Sequence, residues 1–190
     1  LSFSSPTTAT YGQAFTLQTI GGSGAGAITY SVTSTGTANC SVDASTGALT
    51  FTSSGNCDVQ AVKAGGGAYA DATATKTMTI NTAPQFTTIT SPVPGNPLPG
   101  DTYAITATAS SGLTPTLVIM GGAGTVCSIS GSGASETITF LATGTCTVMA
   151  SQLGNGQYSA ASPEDTQVIE VGSLNQSITF GTLDDKDYGS

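Results

Sequence analysis

Leu49-Thr50-Phe51 followed by Gly55-Asn56-Cys57 returns, without a gap, as Ile138-Thr139-Phe140 followed by Gly144-Thr145-Cys146. The register then holds. Val59 and Ala61 correspond to Val148 and Ala150, and a glycine-rich turn ending in Tyr69 corresponds to one ending in Tyr158. Upstream, Cys40-Ser41-Val42 matches Cys127-Ser128-Ile129, with the second copy two residues longer in the intervening hairpin, where insertions are tolerated. Self-similarity at a fixed period marks a repeat architecture.

A third copy is expected to open near the end of the sequence. Ile178-Thr179-Phe180 precedes Tyr188-Gly189 at the spacing that separates Phe3 from Tyr11-Gly12. The chain therefore divides, within a few residues at each boundary, into repeat one at 1–82, repeat two at 83–172, and the start of a third repeat at 173–190. Repeat two departs at its beginning, where the segment from Ser91 to Gly100 carries Pro92, Pro94, Pro97 and Pro99 in place of the Tyr-Gly turn. Proline cannot donate to a ladder, so this reads as a stiff edge or crossover.

Within each repeat the pattern is of strands only. Alternating runs at Phe15 to Ile20, Ile28 to Val32, Leu49 to Thr52, Cys57 to Val62 and Thr73 to Ile80 are separated by turns rich in Gly, Ser and Asn. No helical period is sustained. The fold class expected is all-β: two tandem immunoglobulin-like antiparallel β-sandwiches with the first strand of a third repeat. Alternation puts Leu49, Phe51, Val59 and Ala61 on one face, and Ile138, Phe140, Val148 and Ala150 on its counterpart, as core.

These residues resemble the Ig-like repeats strung in tandem in very large bacterial surface and secreted proteins, adhesins among them. Such units open with a Gln-x-Ile-x-Phe strand and a Tyr-Gly turn, which here read Gln176-Ser177-Ile178-Thr179-Phe180 and Tyr188-Gly189. A Gly-Thr-Cys step and an Ala-Gly-Asn-x-x-Tyr turn are similar to Gly144-Thr145-Cys146 and Leu153-Gly154-Asn155-Gly156-Gln157-Tyr158. The resemblance covers nearly the whole chain and implies no catalytic residue.

Composition excludes several partners. Charged residues are 7% of the 190, against about 25% in ordinary domains. Gly, Ser, Thr and Ala are abundant, while Trp, His and Arg are missing, so hydroxyls must cover the surface. Hydrophobic residues reach 38%, which argues for folding and against disorder. Eleven carboxylates face only Lys63, Lys76 and Lys186, giving a net charge of −8 that disfavours nucleic acid and anionic membrane. No apolar run is long enough to span a bilayer, and the amino terminus lacks the pattern of a signal peptide, so an internal fragment is expected.

Four cysteines without histidine or close C-x2-C pairs point to disulfides and away from zinc. Three pairings are open, and the repeat favours Cys40 with Cys57 and Cys127 with Cys146. Disulfides imply an oxidising, extracellular setting. Redox or nucleophilic thiol work would need a neighbouring base, and there is no histidine.

Asp184, Asp185 and Asp187, around Lys186, are the one weak Ca2+ candidate, against the plainer reading of a solvated turn before Tyr188. No other cofactor is expected. Thr73, Thr75, Thr77 and Thr79 would align on one strand face, an arrangement some ice-binding surfaces use. Threonine also simply favours solvated strands, and the matching strand of repeat two, with Asp165, Gln167, Ile169 and Val171 or their neighbours, brings no second threonine row. A carboxylate pair is the only enzymatic option, yet Asp43, Asp58, Asp71, Asp101, Glu136, Glu164, Asp165 and Glu170 read as scattered solubilising charges. Isopeptide links from Lys63 or Lys76 cannot be general, because repeat two has no lysine.

The leading functional expectation is a non-catalytic spacer or stalk, whose partners are neighbouring repeats and, elsewhere in a longer protein, a host or surface ligand. The short linkers Asn81-Thr82-Ala83-Pro84 and Gly172-Ser173-Leu174-Asn175 fit this. One alternative is a carbohydrate- or host-protein-binding module, which normally displays Trp, Tyr or Arg. Here Tyr30, Tyr69, Tyr103 and Tyr158 read as packing residues. Another is a fibre subunit in which the strand after Gln176 completes a neighbour's sheet.

Overall fold

The computed structural model describes residues 1–173 and 175–181, and within them every regular element is a strand. Residues 1–81 supply β1 (Ser2–Phe3), β2 (Thr8–Thr10), β3 (Phe15–Thr16), β4 (Thr19–Ile20), β5 (Ile28–Ser34), β6 (Ser41–Val42), β7 (Ala48–Thr50), β8 (Gly55–Lys63) and β9 (Ala72–Asn81). One sheet runs β2-β9-β8-β5; the other layer is formed by β3-β7-β6 together with β1-β4. All pairings are antiparallel except β2 on β9, which is parallel.

Residues 87–171 repeat the order. β10 (Thr87–Ile89), β11 (Thr102–Ala109), β13 (Cys127–Ser132) and β14 (Ser135–Phe140) form the sheet β10-β11-β14-β13. β12 (Thr116–Gly121), β15 (Gly144–Ser151) and β16 (Asp165–Val171) form β12-β15-β16. This is the ABED/CFG strand order of a seven-stranded immunoglobulin sandwich.

Each half has its own apolar interior. In the first, Leu17, Leu49, Val59, Met78 and Ile80 pack between the sheets; in the second, Ile105, Ile138, Phe140, Val148 and Ile169 do so. The alternation of the strands places them there, since successive side chains leave opposite faces. Phe51 is only half-buried, whereas its counterpart Phe140 is 1% exposed.

Both disulfides join the two layers at the same place. Cys40, just before β6, is bonded to Cys57 in β8, and Cys127 in β13 is bonded to Cys146 in β15. Each thus ties the outer strand of one sheet to an interior strand of the other. Gly55, which opens the Gly-x-Cys step, has φ +130°, and a Cβ there would lie 1.9 Å from Thr37 Oγ1. Only glycine fits.

A side chain from the last strand latches the segment that follows the first strand in each half. Lys76, opposite Val59, donates from Nζ to the carbonyls of Ser5 and Pro6. Gln167, opposite Val148, donates from Nε2 to the Ser91 carbonyl at 3.0 Å. In the second half the Tyr103 hydroxyl completes the latch, 2.7 Å from Ser91 Oγ and donating to Gln167 Oε1 at 2.9 Å. The first half has Phe15 at that register position, and Ser5 Oγ is buried without a partner among the described residues.

The proline segment runs from Ser91, bonded to Gln167, to Pro97, whose carbonyl accepts from Gly172 N–H. It contains no strand, where the first half has β2 paired to β9. Residues 175–181 form no strand either, and Ile178 and Phe180 are exposed. The strand expected after Gln176 lacks a ladder there, and a segment with no partner to exchange hydrogen bonds with gains nothing by extending.

Candidate functional site at the junction of the two sandwiches

The sequence-predicted site residues do not gather into a reaction centre. All four cysteines are consumed in disulfides. Asp184, Asp185 and Asp187 lie outside the described residues, and among those described no group of His, Cys, Asp or Glu is arranged to hold a metal ion. Thr73, Thr75, Thr77 and Thr79 are all exposed along β9, beside exposed Thr29, Ser31 and Thr33 on β5. Thr77 Oγ1 donates to Asp58 Oδ1 at 2.6 Å, so this face is partly self-bonded. The matching outer positions of β16 are Thr166, Val168 and Glu170; Gln167, Ile169 and Val171 point inward.

Two expectations need correction. Glu136 is 8% exposed and, as the second residue of β14, shares the face of Ile138 and Phe140, so most of its side chain packs inward. Tyr69 is 58% exposed and is not a packing residue. Lys76 donates to carbonyl oxygens and lies 5.7 Å from the centre of the Phe3 ring, and burial pushes its pKa down. Asp43 caps the β6–β7 turn, its Oδ1 accepting from the Thr46 and Ser45 amides and hydroxyls. The Thr46 N–H, then the Ser45 hydroxyl, hold its carboxyl at about 2, below the ordinary 3.8.

The residues that do converge from distant sequence are those where the halves meet. β9 ends at Asn81, whose carbonyl accepts from Tyr11 N–H at 2.9 Å. Ala83 is already bonded to the second half: its N–H donates to the Gln157 carbonyl at 2.8 Å, and its carbonyl accepts from Ser159 N–H at 2.9 Å. Gln85, 2% exposed, continues the attachment, donating from Nε2 to the Ser159 carbonyl at 2.6 Å and accepting from the Ser111 hydroxyl. Thr82 alone stands between the two bonded stretches.

Across that linker the turn Asn155–Tyr158 presses on the first half. Gly156 carbonyl accepts from Ser54 N–H at 2.6 Å and from Ser53 Oγ at 3.0 Å. Gln157 Nε2 donates to the Thr52 carbonyl at 3.1 Å. The Tyr11 and Tyr158 rings meet edge to face at 5.7 Å. The turn itself is rigid: Asn155 Oδ1 accepts from the Gln157 and Tyr158 amides, and a Cβ on Gly154 would lie 2.3 Å from the Tyr158 carbonyl. Every group in the contact is neutral.

The sequence reading found Tyr11-Gly12 and the Asn155 turn as motifs but gave them no meeting point. The available signal was that both turns recur with a tyrosine and both lie at sandwich ends.

No protein-family model matches the chain, and no curated protein matches it. Among solved structures, it is similar to the fibronectin(III)-like modules of CbhA from Clostridium thermocellum, at 13% identity and TM-score 0.40 over 94% of this chain and 98% of that one. It is also similar to domains 4–9 of the surface layer protein SbsC, at 14% identity and TM-score 0.36 over 87% of this chain and 25% of that one. A third is a chimeric titin Z1Z2, at 15% identity and TM-score 0.32 over 92% and 96%. No role is carried over from any of them.

Proposed function

We propose that the chain is a piece of a non-catalytic spacer: Ig-like repeats of an extracellular bacterial surface protein, adhesin-like in build, stacked end to end as a stiff stalk. The observation that carries this reading is the junction, where Thr82 is the one residue between the Asn81 and Ala83 hydrogen bonds. A linker with so little slack, braced by the Asn155–Tyr158 turn, transmits orientation from one unit to the next. Two disulfides fit an oxidising location and resist unfolding there. The charge-poor, hydroxyl-covered surface, without Trp or Arg, suits an inert support better than a recognition face.

Small-angle scattering of the full chain tests this. An end-to-end pair with one narrow distance distribution is expected, and inserting Gly-Gly-Ser after Thr82 should broaden it. Two globules tumbling independently in the unaltered chain would refute the stiff stalk. Strand exchange into a fibre is the second reading, favoured by Ile178 at 79% and Phe180 at 87% exposure on an unpaired segment. It requires concentration-dependent polymerisation that disappears when residues after Leu174 are deleted.

A further inference from the structure

Each sandwich contains the turn and the loop of the junction just described, although the second has no counterpart of Tyr11, and one turn and one loop are unused. The used turn is Asn155–Tyr158 and the used loop is Thr52–Ser54. Their counterparts are the turn Gly66–Tyr69 in the first sandwich and the loop Leu141–Thr143 in the second, fixed by the shared register of β8 and β15. We propose that these two unused halves form a second joint with each other, so that a second copy of this chain adds head to tail through its Gly66–Tyr69 turn on the Leu141–Thr143 loop. The inference rests on the stacked-repeat reading.

Shape is the first argument. Gly66 N–H donates to the Tyr69 carbonyl at 3.1 Å, as Asn155 N–H does to Tyr158 at 2.9 Å. A Cβ on Gly65 would lie 2.2 Å from the Tyr69 carbonyl, as one on Gly154 would lie 2.3 Å from that of Tyr158. The loops agree as closely. Thr52 and Ser53 N–H both donate to the Ala38 carbonyl, at 3.2 and 3.4 Å, and Leu141 and Ala142 N–H both donate to the Val126 carbonyl, at 2.7 and 3.3 Å. In the used loop this leaves Ser54 N–H aimed at Gly156; Thr143 N–H stands at the same place, and among the described residues no acceptor reaches it.

Chemical matching is the second. The used joint is polar on both sides: Ser53 supplies a hydroxyl and Gln157 an amide. At the corresponding unused positions stand Ala142 and Ala68, so both side-chain hydrogen bonds are missing from the same pairing. In their place the loop offers Leu141, 46% exposed, while Tyr69, 58% exposed, stands where Tyr158 stands in the used turn. The two unused halves have lost their polar side chains together, so they match each other better than either matches a used half. A contact between different patches on identical chains is heterologous, so copies add head to tail into an open filament wherever the rotation per copy does not close a ring.

The test is a chain of residues 1–177 followed directly by residues 1–190, in which Leu1-Ser2-Phe3 takes the place of Ile178-Thr179-Phe180. Small-angle scattering is recorded for it and for the single chain. The expected result is a longer chain as stiff as the single one, with Leu141→Asp and Tyr69→Ser together broadening the distances in the longer chain only. A loose middle joint in the unsubstituted longer chain, with the single chain stiff, overturns this proposal alone, and the Leu141 loop then has another occupant or none. Substitutions that leave the longer chain unchanged also overturn it. If the single chain is itself loose, the stacked reading falls with it.

Discussion

Ser5 and Ser91 hold the same place in the two sandwiches and end in opposite situations. Ser91 Oγ has the Tyr103 hydroxyl and Thr106 N–H within 3.0 Å, while Ser5 Oγ is buried with no partner among the described residues. The difference traces to two donors, the Tyr103 hydroxyl that Phe15 lacks and the Thr106 N–H, neither of which has a counterpart on Ser5 Oγ. Tyr103→Phe should therefore destabilise the chain by about 1 kcal/mol, the net value of a typical internal hydrogen bond, as read by urea unfolding. Phe15→Tyr should shift the first sandwich the other way. Asp43 makes a second prediction at this scale. Its folded pKa of about 2 lies below the ordinary 3.8, so its contribution is complete above the ordinary value and is lost as pH falls through the folded one. An NMR titration should find the Ser45 and Thr46 amides moving with a midpoint near the folded value, and Asp43→Asn should abolish that step.

At the scale of elements, the disulfides do for each sandwich what its modest core does only in part. Each closes a loop, with sequence separations of 17 and 19 residues. Replacing either pair with alanines should cost about 3 kcal/mol by the chain-entropy argument, measured as a lower urea midpoint for that sandwich alone. The strands and their inward faces were legible in sequence because alternation is written in side chains: Leu49 and Val59, like Ile138 and Val148, stand where period two puts them. Glu136 was misread because its charge was given more weight than its parity with Ile138 and Phe140. The junction was not legible for a different reason. Its bonds run to the Gly156 carbonyl, the Ser54 amide and the Thr52 carbonyl, main-chain groups that every residue carries and no letter distinguishes.

At the scale of the whole molecule, the contacts between the sandwiches involve hydroxyls, amides, carbonyls and aromatic rings. Screening acts on charges. The scattering profile should accordingly stay the same from low salt to roughly 1 M, whereas a joint held by ion pairs would loosen. Gln157→Ala with Tyr158→Ser should loosen it at every salt concentration, and intact disulfides with an unchanged urea midpoint would show that the sandwiches themselves had survived.

Thr82 as the lone spacer also limits how a molecule of this kind can lengthen. Neighbouring residues of an extended chain face opposite ways, so one residue gained or lost at that point would roll the downstream sandwich about the long axis as well as displace it. Growth by whole-unit duplication keeps the roll; growth by small slips destroys it. A stalk built as proposed would have fixed sides along its length, and whatever it carried at its far end would be held not only at a distance but facing a set direction.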